Sequence, residues 1–368
     1  MKPYEPCELP LKELDYQRLF AVVGDANAEL ARYDGLLQGI VNPSVMLSPL
    51  TNEEAVLSSK IEGTQATVDE VLEHEAGLLK EGTKYEDIQE IINYRKALNS
   101  AQEYLDERPI TLSFVRELHK LLLDSVRGQD KTPGEFRKDQ NWIGSAGCSI
   151  EQASFVPPNP LQLNDHLEAW QNYLKGNDID LLLQSAVVHA QFELLHPFKD
   201  GNGRIGRILI PLFLYQKKKL SKPMFYLSSY LESHRNEYYA RLKAISQSGD
   251  WNGWIVFFLE AIADQAKSNS RKVTAIMNLY EDMKIRIQDI THSRYSINLL
   301  DAIFDKPLFR TTDFIVRSGI NKKTSMGLLR MLRDNDVLVT LSEASGSKPA
   351  VLCFPELLNI AEGRKVIW

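Results

Sequence analysis

Two apolar runs flank a short break in the middle of this 368-residue chain, and together they constrain its fold most. Leu181–Leu183, Val187, Val188, Phe192 and Leu195 recur at helical spacing up to His196. Pro197 then forces the chain out of that helix. After Phe198-Lys199-Asp200-Gly201-Asn202-Gly203, the run Arg204-Ile-Gly-Arg-Ile-Leu-Ile opens a second helix. The chemistry-bearing residues thus fall within twelve residues between two apolar helices.

The break itself carries chemistry. Gly201-Asn202-Gly203 tolerates positive φ and lets backbone N–H groups converge in a concavity. The helix that follows presents unpaired N–H donors and the positive end of its dipole. Arg204 and Arg207 lie three apart on its first turn, where a cation is unfavourable unless an anion is expected. His196 adds a titratable base and Asp200 a carboxylate for a metal. Phosphoryl or nucleotidyl transfer needs such a set, because its catalysis is mostly positioning and charge stabilisation. A site with few protein ligands and several phosphate oxygens suits Mg²⁺.

The rest of the chain reads mainly as α-helix. Ile88, Ile91, Ile92 and Leu98 keep helical spacing, Thr51-Asn-Glu-Glu54 carries a start signal, and Thr111 precedes the Leu112–Leu123 helix. Thr132–Pro160 breaks the pattern with three glycines and four prolines. It reads as a β-hairpin or extended flap, and so long a loop in a compact domain is usually functional. Near residue 284 the pattern changes again. Helical stretches at Leu299–Phe304, Arg310–Ser318 and Asn321–Asp334 are followed by strand-like runs at Val337–Leu341 and Ala350–Phe354. That is the order of a winged helix, with Ser342–Pro349 as the wing. The expected division is an N-terminal helical segment over 1–100, a catalytic core over 101–283 and a winged-helix-like domain over 284–368.

Bulk properties exclude several classes. A net charge of −6 gives no global positive field for nucleic acid or an anionic membrane. Across the winged-helix region Arg317, Lys322, Lys323, Arg330 and Arg333 face Asp313, Asp334, Asp336 and, just beyond, Glu343. That near-neutral balance is a weak footprint for DNA, so docking or dimerisation competes with DNA binding as its role. Cys7, Cys148 and Cys353 lie far apart with no CxxC spacing, which fits a reducing compartment. No apolar run reaches the about 20 residues of a membrane span, and the N-terminus lacks a signal-peptide pattern. A cytoplasmic protein is expected.

The string His196-Pro-Phe-Lys-Asp-Gly-Asn-Gly-Arg-Ile-Gly-Arg207 resembles the signature of the Fic (Fido) family, HPFx[DE]GNGRxxR, at every defined position. The resemblance implies an adenylyltransferase that moves AMP from ATP to Ser, Thr or Tyr hydroxyls of a protein target or of itself. His196 is then the implied general base and Asp200 the Mg²⁺ ligand. Gly201, Asn202 and Gly203 are the implied anion hole, Arg204 the β-phosphate contact and Arg207 the γ-phosphate contact, with Ile205 and Gly206 in the same nucleotide-binding stretch. Phe198 is the implied core anchor. The pieces Pro133–Arg137, Asn141–Gly144 and Phe155–Pro158 resemble the family's target-docking hairpin, and Ser233–Leu242 the part beside the adenine, where Tyr239 is the candidate contact.

Upstream, Leu57-Ser-Ser-Lys-Ile-Glu-Gly63 resembles the inhibitory pattern [ST]xxxE[GN] of a subclass of these proteins, with Ser58 and Glu62 as regulatory residues. Glu62 paired with Arg207 would stand in the place of the γ-phosphate. At ~4 Å and an effective dielectric of about 20 such a pair is worth up to about 4 kcal/mol before desolvation. Alternatives are another nucleotide donor, removal of AMP from a modified target, and a nucleotide-sensing DNA-binding regulator. Self-association into a homodimer is open.

Overall fold

The computed structural model describes residues 2–40, 42–78, 84–124, 129–145, 147–346 and 348–365. Ala146 of the expected flap and Ser347 of the expected wing lie outside them. The fold is mainly helical, with one three-stranded sheet. It divides into two compact units, one of Met1–Asp34, Leu57–Thr64 and Gln89–Lys267, the other of Gly35–Val56, Gln65–Ile88 and Ser268–Trp368.

The first unit is built round the helix Leu181–Leu195. Asp180 caps its start by accepting from the Leu182 and Leu183 N–H groups. Thirteen of its fifteen residues are buried, as expected of a helix apolar on every side. Two buried indoles hold it from different directions. Trp170 Nε1 donates to the Val188 carbonyl at 2.9 Å, and Trp254 Nε1 to that of Ala186 at 2.8 Å. The chain turns after Leu195 and returns as Asn202–Gln216. In the helix Leu112–Leu122, Thr111 accepts the Phe114 N–H as its cap. The helix ending at Ile61 begins at Ser48, one turn before the expected Thr51, because Pro49 sits in the first turn, where its missing N–H costs nothing.

Among the described residues, the expected flap reduces to one antiparallel bridge, Ile143 with Phe155, among turns and short 3₁₀ segments. Pro157 and Pro158 follow after Val156 and have no N–H with which to extend a ladder.

In the second unit, the sheet runs β1 (Leu308–Arg310), β3 (Val351–Cys353), β2 (Val339–Ser342), all antiparallel. Helices Ser296–Asp305, Thr311–Ser318 and Lys322–Asp334 accompany it, the last capped by Asn321 accepting from the Thr324 N–H. The sequence reading missed β1, whose three residues it took in part as helix. One helix runs unbroken from Trp251 to Thr291, across the change of pattern near Lys284.

Candidate active site

His196 closes the Leu181–Leu195 helix in the left-handed region, at φ 46° and ψ 59°. A histidine there costs on the order of 1 kcal/mol or more, so the surroundings must hold it. Arg137, 3% exposed, does so. Its Nε donates to the His196 carbonyl at 2.9 Å, and one terminal nitrogen donates to the carbonyls of Pro158 at 2.6 Å and Leu195 at 3.3 Å. The Arg137 N–H itself donates to the Pro197 carbonyl at 2.8 Å. A cation thus satisfies carbonyls at the negative end of the helix. Burial lowers its pKa to about 10. Burial also brings the His196 imidazole down to about 4, against the Glu193 carbonyl, Glu62 and Asp200, with Arg137 reinforcing the fall. Its Nδ1 is buried without a hydrogen-bond partner.

The loop from Pro197 to Gly201 is tied to itself. Asn202 Oδ1 accepts the Phe198 N–H at 2.8 Å while its Nδ2 donates to the Phe198 carbonyl at 2.9 Å. The Asn202 side chain is therefore committed to shaping the loop, and what this stretch offers an anion is backbone. Gly201 takes φ 76°, and the Ile205 N–H is the first to find a carbonyl, that of Gly201. The N–H groups of Asn202, Gly203 and Arg204 have no acceptor within the helix.

Asp200 accepts the Gly201 N–H at 2.6 Å and lies 3.6 Å from Arg204. Its carbonyl accepts from His119 Nε2 at 2.9 Å. His119 Nδ1 accepts the Gly134 N–H at 2.8 Å, which fixes the proton on Nε2. The imidazole is fully buried, stacks on Phe198 with centroids 3.7 Å apart, and is lowered by burial to about 4. One neutral histidine thus joins the start of the flap to the backbone at Asp200.

The two arginines differ in what they meet. Arg204, 4% exposed, pairs with Glu90, 7% exposed, at 2.9 Å. Arg207 donates from Nε to the Ser58 hydroxyl at 2.8 Å, and from one terminal nitrogen to the Ser58 carbonyl at 2.9 Å and Glu62 at 2.6 Å. The other terminal nitrogen is buried without a partner. Burial alone would lower the guanidinium, but Glu62, with smaller effects of Tyr238, Glu193 and Tyr239, holds it above its ordinary pKa. Burial alone would raise Glu62, but the charge and hydrogen bonds of Arg207, helped by Arg204 and His196, hold it low. The Glu62 carboxylate lies over Gly203, where an added Cβ would meet its Oε1 at 2.2 Å.

Glu62, His196, Gly203 and Arg207 share one cavity of about 680 Å³, within the range of small-ligand sites. Tyr238 and Tyr239 form part of its wall. Tyr238 is buried and its hydroxyl donates to His189 Nε2 at 3.0 Å, since His189 Nδ1–H is spent on the Gly206 carbonyl. Tyr239 is 42% exposed, as a ligand contact would be. Asp200, Gly201, Asn202, Arg204, Ile205 and Gly206 do not line the cavity wall, although all lie in the stretch beside it. Ile205 is core. Residues that the sequence reading missed are Glu90, His119, Arg137 and Glu193. Glu193 had a signal, as the single acid in the Leu181–Leu195 helix.

The chain is similar to known proteins. The family model described as Fic/DOC family N-terminal matches residues 20–103, and that described as Fic/DOC family matches residues 109–214. A probable protein adenylyltransferase of Aquifex aeolicus (strain VF5) is 28% identical over 179 residues, 48% of this chain and 51% of that protein. Protein adenylyltransferase Fic of Aedes aegypti is 29% identical over 157 residues, 41% of this chain and 27% of that protein. The chain spans about half or less of the length of these relatives. A solved Fic family protein from Desulfovibrio desulfuricans G20 shares the fold, with a TM-score of 0.57 at 19% identity over 95% of this chain and 98% of that one. Fic-1 (aa134 - 508) from C. elegans gives 0.51 at 21% identity over 72% of each chain. Two family models that together span more than half of the sequence, and this fold, establish that the chain belongs to the Fic/DOC family.

Proposed function

We propose that this chain is a protein adenylyltransferase that transfers AMP from ATP to a protein hydroxyl and that rests in an inhibited state. The observation that carries the reading is the cavity in which the neutral base His196, the start of an amide-rich helix and Arg207 adjoin one another, with Glu62 already on Arg207. The relatives named as protein adenylyltransferases support the same activity.

In the reaction, the target hydroxyl attacks the α-phosphorus and forms a phosphorus–oxygen bond. The bond from that phosphorus to the bridging oxygen breaks, pyrophosphate leaves, and His196 Nε2 takes the hydroxyl proton. A base lowered to about 4 is neutral at pH 7, as the step requires. The Asn202, Gly203 and Arg204 N–H groups and the helix dipole stabilise the phosphate charge. Arg207 takes the terminal phosphate once Glu62 has left it. Tyr239 flanks the base of the nucleotide.

Asp200 fits a divalent cation such as Mg²⁺. Its side chain is 43% exposed beside the helix start, and no group of three or more His, Cys, Asp or Glu side chains gathers as a metal site among the described residues. A hard cation that keeps its waters and takes phosphate oxygens suits a single carboxylate. When bound, it would neutralise polyphosphate charge. In the second unit, the order of helices and strands favours a winged-helix-like module, which we read as a docking element.

Incubation of the Glu62→Gly variant with ATP labelled at the α-phosphate, then at the γ-phosphate, tests the activity. Protein-bound label from the α position alone is expected. Label from the γ position alone, or from neither, would overturn the reading.

A further inference from the structure

Glu193 is the carboxylate of the cavity to which the reaction above gives no role. It lies one turn before His196 and lines the cavity with Arg207 and Gly203. Its Oε1 is buried without a hydrogen-bond partner and rests over Gly206, where a Cβ would meet it at 2.1 Å. One terminal nitrogen of Arg207 is likewise buried and unpaired. Both residues line the cavity, and a protonated Glu193 beside the unpaired guanidinium nitrogen would present two donors, which suit phosphate oxygens.

We propose that Glu193 is a further nucleotide-contacting residue, which meets the bound polyphosphate as a neutral carboxylic acid and donates its O–H to a phosphate oxygen. This rests on the adenylyltransferase reading and adds to it that nucleotide binding is coupled to a proton. An ionised Glu193 would repel the phosphate that Arg207 holds, whereas the acid form supplies a donor where one is missing.

The surroundings agree. Burial pushes the Glu193 carboxyl up to about 8 against the pull of Arg207, and Glu62 adds to the rise. On its own helix it has His189 and His196, lowered by burial to about 3 and about 4 and so uncharged at neutral pH. From the helix Asn202–Gln216 comes Arg207. Glu62 faces it from the turn after Ile61. The helix Arg235–Ser248 brings Tyr238 and Tyr239, both raised by burial, and places Arg235 and Lys243 on the same cavity wall. The flap adds no titratable side chain to that wall. Among Glu62, Glu193, His189, His196, Tyr238 and Tyr239, Glu193 is the group that titrates between neutral and mildly alkaline pH. When polyphosphate replaces Glu62, a negative charge again stands beside Glu193 and raises it further, so binding takes up a proton.

The test measures affinity for an ATP analogue with a methylene in place of the α,β-bridging oxygen, by calorimetry from about pH 6.5 to about 9.5. Glu62→Gly is compared with Glu62→Gly/Glu193→Gln. Affinity of the single variant is expected to fall with rising pH, by up to roughly tenfold per pH unit, and that of the double variant to stay flat. Parallel profiles would overturn the proposal. Titrations of the single variant in two buffers of different ionisation enthalpy need no change at Glu193. Net proton uptake is expected near pH 8, and none at any pH would overturn it. Absence of analogue binding by Glu62→Gly at every pH would overturn the nucleotide reading itself, and the proposal with it.

Discussion

Glu62 and Arg207 lie 145 residues apart in sequence and 2.6 Å apart in space, in an ion pair whose members are unequally buried. Arg207 is 1% exposed, whereas Glu62 is 32% exposed on the cavity side. The carboxylate is thus the movable partner. Ser58 also holds the guanidinium, through its hydroxyl and its carbonyl. Replacing Glu62 by Gly is expected to raise AMP transfer by tenfold or more, since about 1.4 kcal/mol of lost competition gives that factor. Glu62→Gln, which keeps the shape and loses the charge, should fall between the two. Initial rates with α-labelled ATP check the series, and a variant no faster than wild type would remove the brake from this account.

His196 is expected to work well below the pH at which an ordinary imidazole fails. A base must be neutral, and burial holds this one neutral down to about pH 4. The acid limb of kcat/KM for Glu62→Gly should therefore lie clearly below the ordinary histidine value of about 6.5. Removing Glu62 moves it lower still, because that carboxylate favours the protonated ring. His196→Ala should lose on the order of 10²-fold or more in rate at unchanged folding. A limb centred near 6.5 would show that the imidazole is solvated during catalysis.

Residues 196–207 were legible in the sequence because each demand on them is a demand on residue type: a base, a carboxylate, glycines for positive φ, and cations at a helix start where cations are otherwise unfavourable. Glu62 was legible only through its pattern, since a Ser/Glu pair at that spacing suits any solvated helix face. His119, Arg137 and Glu90 have no such mark. Their roles come from burial beside backbone groups or a charge more than fifty residues away in the chain. The helices were readable from periodicity, but β1, three residues long, has no period to read and exists only by pairing with β3. Asn202 shows the reverse case, a residue that its type marks for the anion hole and whose side chain is spent on shaping the loop.

Arg137 is expected to be a stability residue with a catalytic consequence. Arg137→Ala leaves the carbonyls of Leu195, His196 and Pro158 without this donor, and hydrogen bonds to a charged group contribute about 1.5–3 kcal/mol each. A loss of about 3 kcal/mol or more in urea unfolding is expected. Arg137→Lys should not restore it, because an ammonium on a flexible stem does not reproduce the planar fork. Activity should fall even at temperatures where the variant is folded, since the strained backbone at His196 loses its hold.

His119 offers a way to separate stacking from hydrogen bonding at the catalytic loop. His119→Phe keeps an aromatic ring against Phe198 but strands the Gly134 N–H and the Asp200 carbonyl, both of which lose a partner at 2.8–2.9 Å. The expected cost is about 1–3 kcal/mol, from unsatisfied groups rather than from packing. Because one of them is the backbone of Asp200, the variant should also need more Mg²⁺ for half-maximal rate than its stability alone explains. Titrating Mg²⁺ on Glu62→Gly with and without His119→Phe, at a temperature where both are folded, reads this directly. An unchanged Mg²⁺ requirement beside a lowered melting temperature would restrict His119 to holding the flap.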